Sequence, residues 1–291
     1  MSFSINFRNI LVVGVGLIGG SIIRALKESS FSGKVYGIDS DVGTLTTAHN
    51  LGYIQNQDTN IPKDLDNILV IFSVPVLSIQ EAMSQIKTLI NTKNVIYTDT
   101  LSVKSSVLKT LETRDNSFLN RFVLSHPIAG SEQSGFKASS PTLFKGKLSI
   151  ICPHENNSKR DVSKVEDFWK AIGSYTKKLS VHDHDELFGK TSHMPHVIAY
   201  AIMDSLYQDL GDKAFLYSGG SLEDYTRIAS SDPIMWKDIF ISNNENILKS
   251  IEDFELSLNE LKELIKQQDD EAIVKFLKDT KTLRDDALEN D

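Results

Sequence analysis

The chain of 291 residues carries one cysteine, Cys152. No disulfide can form within a single chain, and none of the cysteine spacings that hold a metal is present. Cys152 closes the apolar run Leu148-Ser-Ile-Ile-Cys152, which reads as a core strand position rather than a nucleophile. No apolar run approaches the ~20 residues of a membrane span. The N-terminus, Met1-Ser-Phe-Ser-Ile-Asn-Phe-Arg8, lacks a basic region followed by an apolar core, so no export signal is expected. Positive charge is scarce as well: 31 Lys and Arg face 39 Asp and Glu, a net charge of −8. That balance argues against a general nucleic-acid surface, which needs clustered cations, yet leaves room for a local basic pocket. Low-complexity tracts and internal repeats are missing. With 40% hydrophobic and 24% charged residues, the composition is that of a globular chain of one large or two ordinary domains. The expectation is a cytoplasmic protein with neither a membrane nor a nucleic acid as partner.

What is present starts at Ile10. The apolar run Ile10-Leu-Val-Val13 leads into Gly14-Val15-Gly16-Leu17-Ile18-Gly19, and after a helix-length gap comes Lys34-Val-Tyr-Gly-Ile-Asp39. This is a strand, a Gly-rich turn, a helix and a second strand ending in an acid. That context turns a weak glycine pattern into a specific one for a dinucleotide. Gly14 allows the tight turn, Gly16 lets backbone approach a pyrophosphate, and Gly19 lets the helix sit close on the strand. The free N–H groups of the helix start favour the phosphate charge. Asp39 is placed to accept hydrogen bonds from a ribose diol and would repel a 2′-phosphate, which predicts NAD over NADP. The candidate cofactor contacts are Gly14, Gly16, Leu17, Ile18, Gly19, Asp39, Ser73 and Pro75.

Short strands rich in Val, Ile and Phe are expected near 10–13, 34–39, 67–72, 95–98, 121–124, 147–152 and 175–179. Helices are expected between them, near 17–29, 41–50, 76–90, 103–112 and 160–172. The alternation predicts an α/β fold with a doubly wound, mostly parallel Rossmann-type sheet over residues 1–180. Beyond that the strand signal stops, and residues 181–291 read as an all-helical domain. Residues 183–210 read as one long helix kinked at Pro195. Asp232-Pro233 is a helix start, with Asp as N-cap and Pro at the first helical position. Further on, Ile247, Ile251, Phe254, Leu258, Leu261 and Ile265 recur at spacings of four and three. That seam wants another helix, from the same chain or from a second subunit.

Three segments carry candidate chemistry. Ser125-His126-Pro-Ile-Ala-Gly-Ser-Glu132 follows an expected strand, at the sheet edge where open α/β folds bind ligands. A neutral imidazole there is suited to take a proton from a substrate hydroxyl, although His126 is equally readable as a loop cap. Asp99-Thr-Leu-Ser-Val-Lys104 follows another strand and opens a helix. Ser102 is a helix N-cap by residue type, and is also placed to orient His126. The third segment is His182-Asp-His184-Asp185 with Ser192-His193-Met-Pro-His196. Its spacing fits a metal poorly because Pro195 interrupts the helix, so substrate contact is favoured over metal, with one of the histidines structural. Arg227 stands alone in Asp224-Tyr-Thr-Arg-Ile-Ala229. It suits a carboxylate clamp, with a surface pair to Asp224 as the plain alternative.

Together these segments resemble the prephenate dehydrogenase family of tyrosine biosynthesis, over nearly the whole chain. The likeness rests on Gly14-Val-Gly-Leu-Ile-Gly-Gly20, Asp99-Thr-Leu-Ser-Val-Lys104, His126-Pro-Ile-Ala-Gly-Ser-Glu132, His184-Asp185 with Ser192-His-Met-Pro-His196, and Thr226-Arg-Ile-Ala229 with Asp232-Pro and Trp236. The resemblance implies oxidative decarboxylation of prephenate to 4-hydroxyphenylpyruvate with NAD as hydride acceptor. It implies that His126 bonds the C4 hydroxyl and draws off its proton, that Ser102 holds His126, and that His196 and Arg227 recognise polar groups of the substrate. Glu132, His184 and Trp236 would shape or gate the pocket. It further implies a homodimer joined through the helical domain. The two expected domains take up the 291 residues, so neither a fused chorismate mutase nor a C-terminal ligand-sensing domain is expected within them. Arogenate dehydrogenase is the nearest rival. A 3-hydroxyacid dehydrogenase relying on a lysine such as Lys190 and a non-enzymatic NAD(H) sensor are the more distant ones.

Overall fold

The computed structural model describes residues 4–29, 31–90, 92, 94–113, 116–211 and 213–289. The outermost ends of both expected domains, Met1–Phe3 and Asn290–Asp291, lie outside the described residues. The chain forms two compact units, Met1–Asn244 and Glu245–Asp291.

Among the described residues the first unit is built on seven strands: β1 (Asn9–Val13), β2 (Lys34–Ile38), β3 (Ile68–Phe72), β4 (Val95–Asp99), β5 (Phe122–Pro127), β6 (Leu148–Cys152) and β7 (Tyr175–Lys178). Their order in the sheet is β2-β1-β3-β4-β5-β6-β7. The pairs from β2 to β5 are parallel, β5 and β6 run antiparallel, and β6 and β7 are parallel again. All seven expected strands are present within one or two residues at their starts, and β5 runs three residues further than expected, through Pro127.

The helices between them are α1 (Leu17–Glu28), α2 (Val42–Asn50), α3 (Ile79–Leu89), α4 (Lys104–Glu112), the short α5 (Asn116–Leu119) and α6 (Lys159–Ala171). Strand side chains alternate between two cores. Leu11, Val13, Val70 and Phe72 pack on one face with Met83 and Val107. Ile10, Val12, Leu69 and Ile71 pack on the other with Ile22, Leu26 and Trp169. Burial on both faces is why these strands read as continuous apolar runs. The chain turns back between β2 and β3, so β1 and β3 flank the point where an open α/β sheet leaves a crevice at its carboxyl edge.

The unit continues with α7 (Val181–Phe188), α8 (Met194–Leu210), the short α9 (Lys213–Leu216), α10 (Gly220–Thr226) and α11 (Pro233–Ser242). Residues 183–210 are not one helix kinked at Pro195. A π-helical turn over Gly189–His193 separates α7 from α8, and Pro195 stands in the first turn of α8. There its missing N–H costs nothing and its fixed φ suits the helix. α11 starts as expected, with the Asp232 side chain accepting the Met235 N–H at 2.9 Å.

The second unit follows the start of α12 (Asn244–Gln267) and holds α13 (Asp270–Glu289). Within the expected seam Ile247 is buried, whereas Leu258 and Ile265 are exposed in the single chain, as are Val274, Leu277 and Leu283 on α13.

Candidate active site

The glycine loop joins β1 to α1 at the carboxyl edge. Gly14 has φ +90°, and a Cβ there would lie 2.2 Å from the Ser73 carbonyl oxygen. A Cβ on Gly19 would lie 1.9 Å from the Gly14 carbonyl oxygen, so the close approach of α1 to the loop needs glycine. A Cβ on Gly16 would meet nothing within 4 Å, which is open space for a ligand rather than a packing need. Gly16 also offers no side-chain bond to the start of α1, and no acid stands in its first turn. The N–H groups there, beside half-buried Leu17 and Ile18, are left for an anion.

Asp39, at the end of β2, accepts the Val15 N–H on Oδ2 at 2.7 Å and the Asp41 N–H on Oδ1 at 2.9 Å. Each oxygen keeps a further lone pair for a ribose hydroxyl. Ser73 follows β3, its N–H on the Val13 carbonyl at 2.7 Å and its hydroxyl accepting from Thr100 at 3.1 Å. Pro75 is exposed and precedes the turn Val76–Ser78. These residues fit a dinucleotide.

Two strands away the edge carries charge. Asp99, at the end of β4, and Lys104, first residue of α4, form an ion pair with both side chains at 0% exposure. The Asp99 carboxylate also accepts the backbone N–H groups of Ser125 and Leu101. Lys104 Nζ donates to the Ser125 carbonyl at 2.7 Å. The Ser125 hydroxyl donates to the Asp99 carbonyl at 2.6 Å and accepts from Trp169 Nε1. Burial pushes the Asp99 carboxyl above the usual range, against the pull of Lys104. Two of these bonds, to the Ser125 N–H and carbonyl, fix the backbone directly before His126.

His126 packs against Phe188 at 5.0 Å between ring centroids, and its Nδ1 lies 2.9 Å from His184 Nε2. His184 is fully buried, with Nδ1 2.7 Å from Asp185 Oδ1. Burial, aided by the neighbouring His184, Lys104 and His193, lowers the His126 imidazole well below its ordinary value, and burial lowers His184 too.

The partner of His126 is therefore His184 and not Ser102. Ser102 is half-buried and forms no hydrogen bond to His126. Nor is it the N-cap: α4 starts at Lys104 after Val103, and no side chain of the loop caps it. The cap comes from Asp185, whose two oxygens accept the N–H groups of Lys104 and Ser105 at 2.8 Å each. A local capping rule has no means of seeing an acceptor some eighty residues further along.

The π turn and α8 place the other histidines. His193 is 1% exposed and lies with Nδ1 3.0 Å from Asn243 Nδ2, which also donates to the Asp185 carbonyl. Its Nε2 and the buried Trp236 Nε1 find no partner among the described residues. His196 donates from Nδ1 to the Ser192 carbonyl at 2.9 Å and stacks on Trp236 with centroids 3.5 Å apart. Arg227 follows α10 and pairs with Glu132, not with Asp224, at 3.2 Å. Lys190 pairs with Glu186 one helical turn back, on an exposed face. His182 is exposed beside Asp183. Among the described residues no cluster of three His, Cys, Asp or Glu side chains is placed to hold a metal. Cys152 is buried, its thiol pushed up to about 12.

A family model described as the prephenate dehydrogenase nucleotide-binding domain matches residues 22–178, and its dimerization-domain counterpart matches residues 180–279. The chain belongs to the prephenate dehydrogenase family. It is 33% identical to the cyclohexadienyl dehydrogenase of Zymomonas mobilis, over 96% of this chain and 95% of that one. It is 29% identical to the prephenate dehydrogenase of Bacillus subtilis, over 95% of this chain and 75% of the relative. Among solved structures, prephenate dehydrogenase from Aquifex aeolicus, in complex with hydroxyphenyl propionate and NAD+, shares 38% identity. It covers 99% of this chain and 100% of its own, with a TM-score of 0.90. The family is one of NAD-binding oxidoreductases with a Rossmann fold and a place in tyrosine biosynthesis, and NAD is the cofactor. No helix among the described residues is long and apolar enough to cross a membrane.

Sequence reasoning placed His126, His184, His196, Arg227, Glu132 and Trp236 among the site residues. Asp99, Lys104, Asp185 and His193 stand inside the candidate segments with no individual role assigned, and Asn243 lies outside them. Asp185 was the most accessible of these, since an acid beside a candidate histidine is a common way to orient it.

Proposed function

We propose that the chain is a prephenate dehydrogenase: it oxidatively decarboxylates prephenate to 4-hydroxyphenylpyruvate with NAD in preference to NADP. The observation that carries this reading is His126, a lowered imidazole held by a buried histidine at the same sheet edge as the glycine loop. NAD+ supplies a hydride acceptor when bound, held by Gly14, Gly16, Leu17, Ile18 and Gly19 at the pyrophosphate, Asp39 at the ribose, and Ser73 with Pro75.

His126 takes a hydrogen bond from the C4 hydroxyl and draws off its proton while C4 is oxidised. The electron pair of the ring carbon–carboxylate bond then completes the aromatic ring, CO₂ leaves, and the proton returns to the phenol oxygen. Aromatisation supplies the driving force, so the residues have mainly to align and to accept. Ser102, on the loop before α4, contacts the substrate or the nicotinamide. His196, stacked on Trp236, faces polar groups of the substrate, and Arg227 clamps a carboxylate. Glu132 holds Arg227 until that carboxylate replaces it, and His184 shapes the pocket from behind His126.

The working division is a cofactor domain over residues 1–180 and a helical domain over 181–291 that joins two copies in a cytoplasmic homodimer. The exposed apolar residues of α12 and α13 in the single chain support that pairing. Arogenate is the alternative substrate, because the cyclohexadienyl dehydrogenase name specifies the ring and not the side chain. Following NADH absorbance with prephenate and with arogenate, each with NAD⁺ and NADP⁺, tests the proposal. Prephenate with NAD⁺ is expected to give the highest kcat/KM. A higher value with arogenate overturns the substrate assignment, and a higher value with NADP⁺ overturns the role of Asp39.

A further inference from the structure

Asp185, His184 and His126 stand in a row, carboxylate to imidazole to imidazole, at 2.7 and 2.9 Å. Proton positions along the row follow from its acid end. Burial works against ionising Asp185, but bonds from His184, Ser105 and Lys104 outweigh it and hold the carboxyl below its ordinary value. Two of those bonds are the backbone N–H groups at the start of α4, where the helix dipole also favours an anion. An ionised carboxylate only accepts, so the hydrogen between it and His184 sits on His184 Nδ1. A neutral imidazole has a single N–H, which makes His184 Nε2 an acceptor. The hydrogen between the two rings then sits on His126 Nδ1, and the lone pair of His126 is on Nε2.

We propose that Asp185 and His184 are positioning residues that fix the tautomer of His126, making Nε2 its basic atom. The proposal rests on the reading of His126 as the base. It explains why a second imidazole stands between acid and base. A carboxylate bonded directly to His126 would stabilise its imidazolium, whereas the neutral His184 ring sets the Asp185 charge one residue further away. The other charged or titratable groups around His126 are Lys104, paired with Asp99 beneath it, and neutral His193 from the π turn. None of them supplies a free anion, so His126 remains an unprotonated acceptor through the neutral range. A substrate hydroxyl gives its proton to Nε2 and leaves the Nδ1–H bond to His184 intact.

Nitrogen NMR of the full chain with ¹⁵N-labelled histidine, free and with saturating NAD⁺, tests the assignment without any variant. The His126 signal, identified by its loss in His126→Asn, is expected to show hydrogen on Nδ1 and none on Nε2. Hydrogen on Nε2 overturns the proposal. In Asp185→Ala the acceptor of the His184 Nδ1 hydrogen is gone, so the His126 hydrogen is expected to divide between Nδ1 and Nε2. The kcat should then fall by about tenfold or more with KM little changed, because only part of the His126 population keeps its lone pair on Nε2. His184→Gln, whose amide accepts from His126 and donates to Asp185, is expected to keep kcat within about tenfold of the parent, while His184→Leu falls by about 10²-fold or more. A folded Asp185→Ala with the His126 hydrogen still wholly on Nδ1 overturns the proposal. A His126→Asn variant with unchanged kcat instead overturns the base reading, and the tautomer measurement tells the two failures apart.

Discussion

Two ion pairs serve the site from opposite environments. Asp99–Lys104 has 0% exposure on both side chains, while Arg227–Glu132 exposes 62% and 37%. The buried pair is locked further by the Ser125 N–H and carbonyl, so neither partner has anywhere else to go. The exposed pair is worth at most about 1 kcal/mol, and a substrate carboxylate can displace Glu132 at little cost. On the roles proposed above, the charge that steadies the segment before His126 is buried and saturated, whereas the charge offered to the substrate is left loose.

The largest effect that could break this contrast is expected from Lys104→Met. It leaves Asp99 buried and uncompensated and should cost about 3–5 kcal/mol of stability, read from denaturant midpoints. Adding Asp99→Asn should recover part of that loss. A single variant as stable as the parent would put the buried pair in the same class as the exposed one.

Acid tests the same interior next. Burial holds His193 at about 4, while the unfolded chain binds that proton near pH 6.5. The stability from keeping His193 neutral is complete above about pH 6.5 and is lost as pH falls through about 4, on the order of 3 kcal/mol across the window. His126 and His184 are lowered in the same direction. Melting temperatures followed downward from about pH 7.5 should therefore drop, and His193→Gln should flatten the slope. An identical slope in that variant removes His193 from the account.

At the exposed pair, Arg227→Ala removes a charge-assisted bond of about 1.5–3 kcal/mol, so KM for prephenate should rise at least tenfold. The melting temperature should hardly move. A variant that loses NAD⁺ affinity and keeps its KM would place Arg227 elsewhere. The smallest effect is Glu132→Gln, with a stability change below about 1 kcal/mol in a chemical melt. A loss as large as that of Lys104→Met would erase the distinction between the two pairs.

What was legible in the sequence is what neighbouring residues decide. Gly14, Gly16 and Gly19 announce their turn because a tight turn and a close helix leave few other choices, and doubly buried strands such as Ile68–Phe72 have no polar face to confuse their period. The site is legible only as residue types. His126 stood out by its place after a strand, but its partner lies 58 residues on and no spacing rule links them. The local rule at Ser102 loses because Asp185 delivers a better acceptor to α4 from 81 residues beyond Lys104. The Pro195 kink fails for a related reason. The chain absorbs the irregularity one turn earlier, as a π turn, and leaves the proline where a helix tolerates it.

Asp185 also sets an order in time. The proposed cofactor contacts lie between Gly14 and Pro75, whereas Asp185 reaches α4 across a chain separation of 81 residues. Parallel sheets gain their long-range contacts slowly, and those of greatest separation come last. A refolding chain should thus regain nucleotide binding before turnover, with His126 an unarmed imidazole until the helix carrying Asp185 docks on α4.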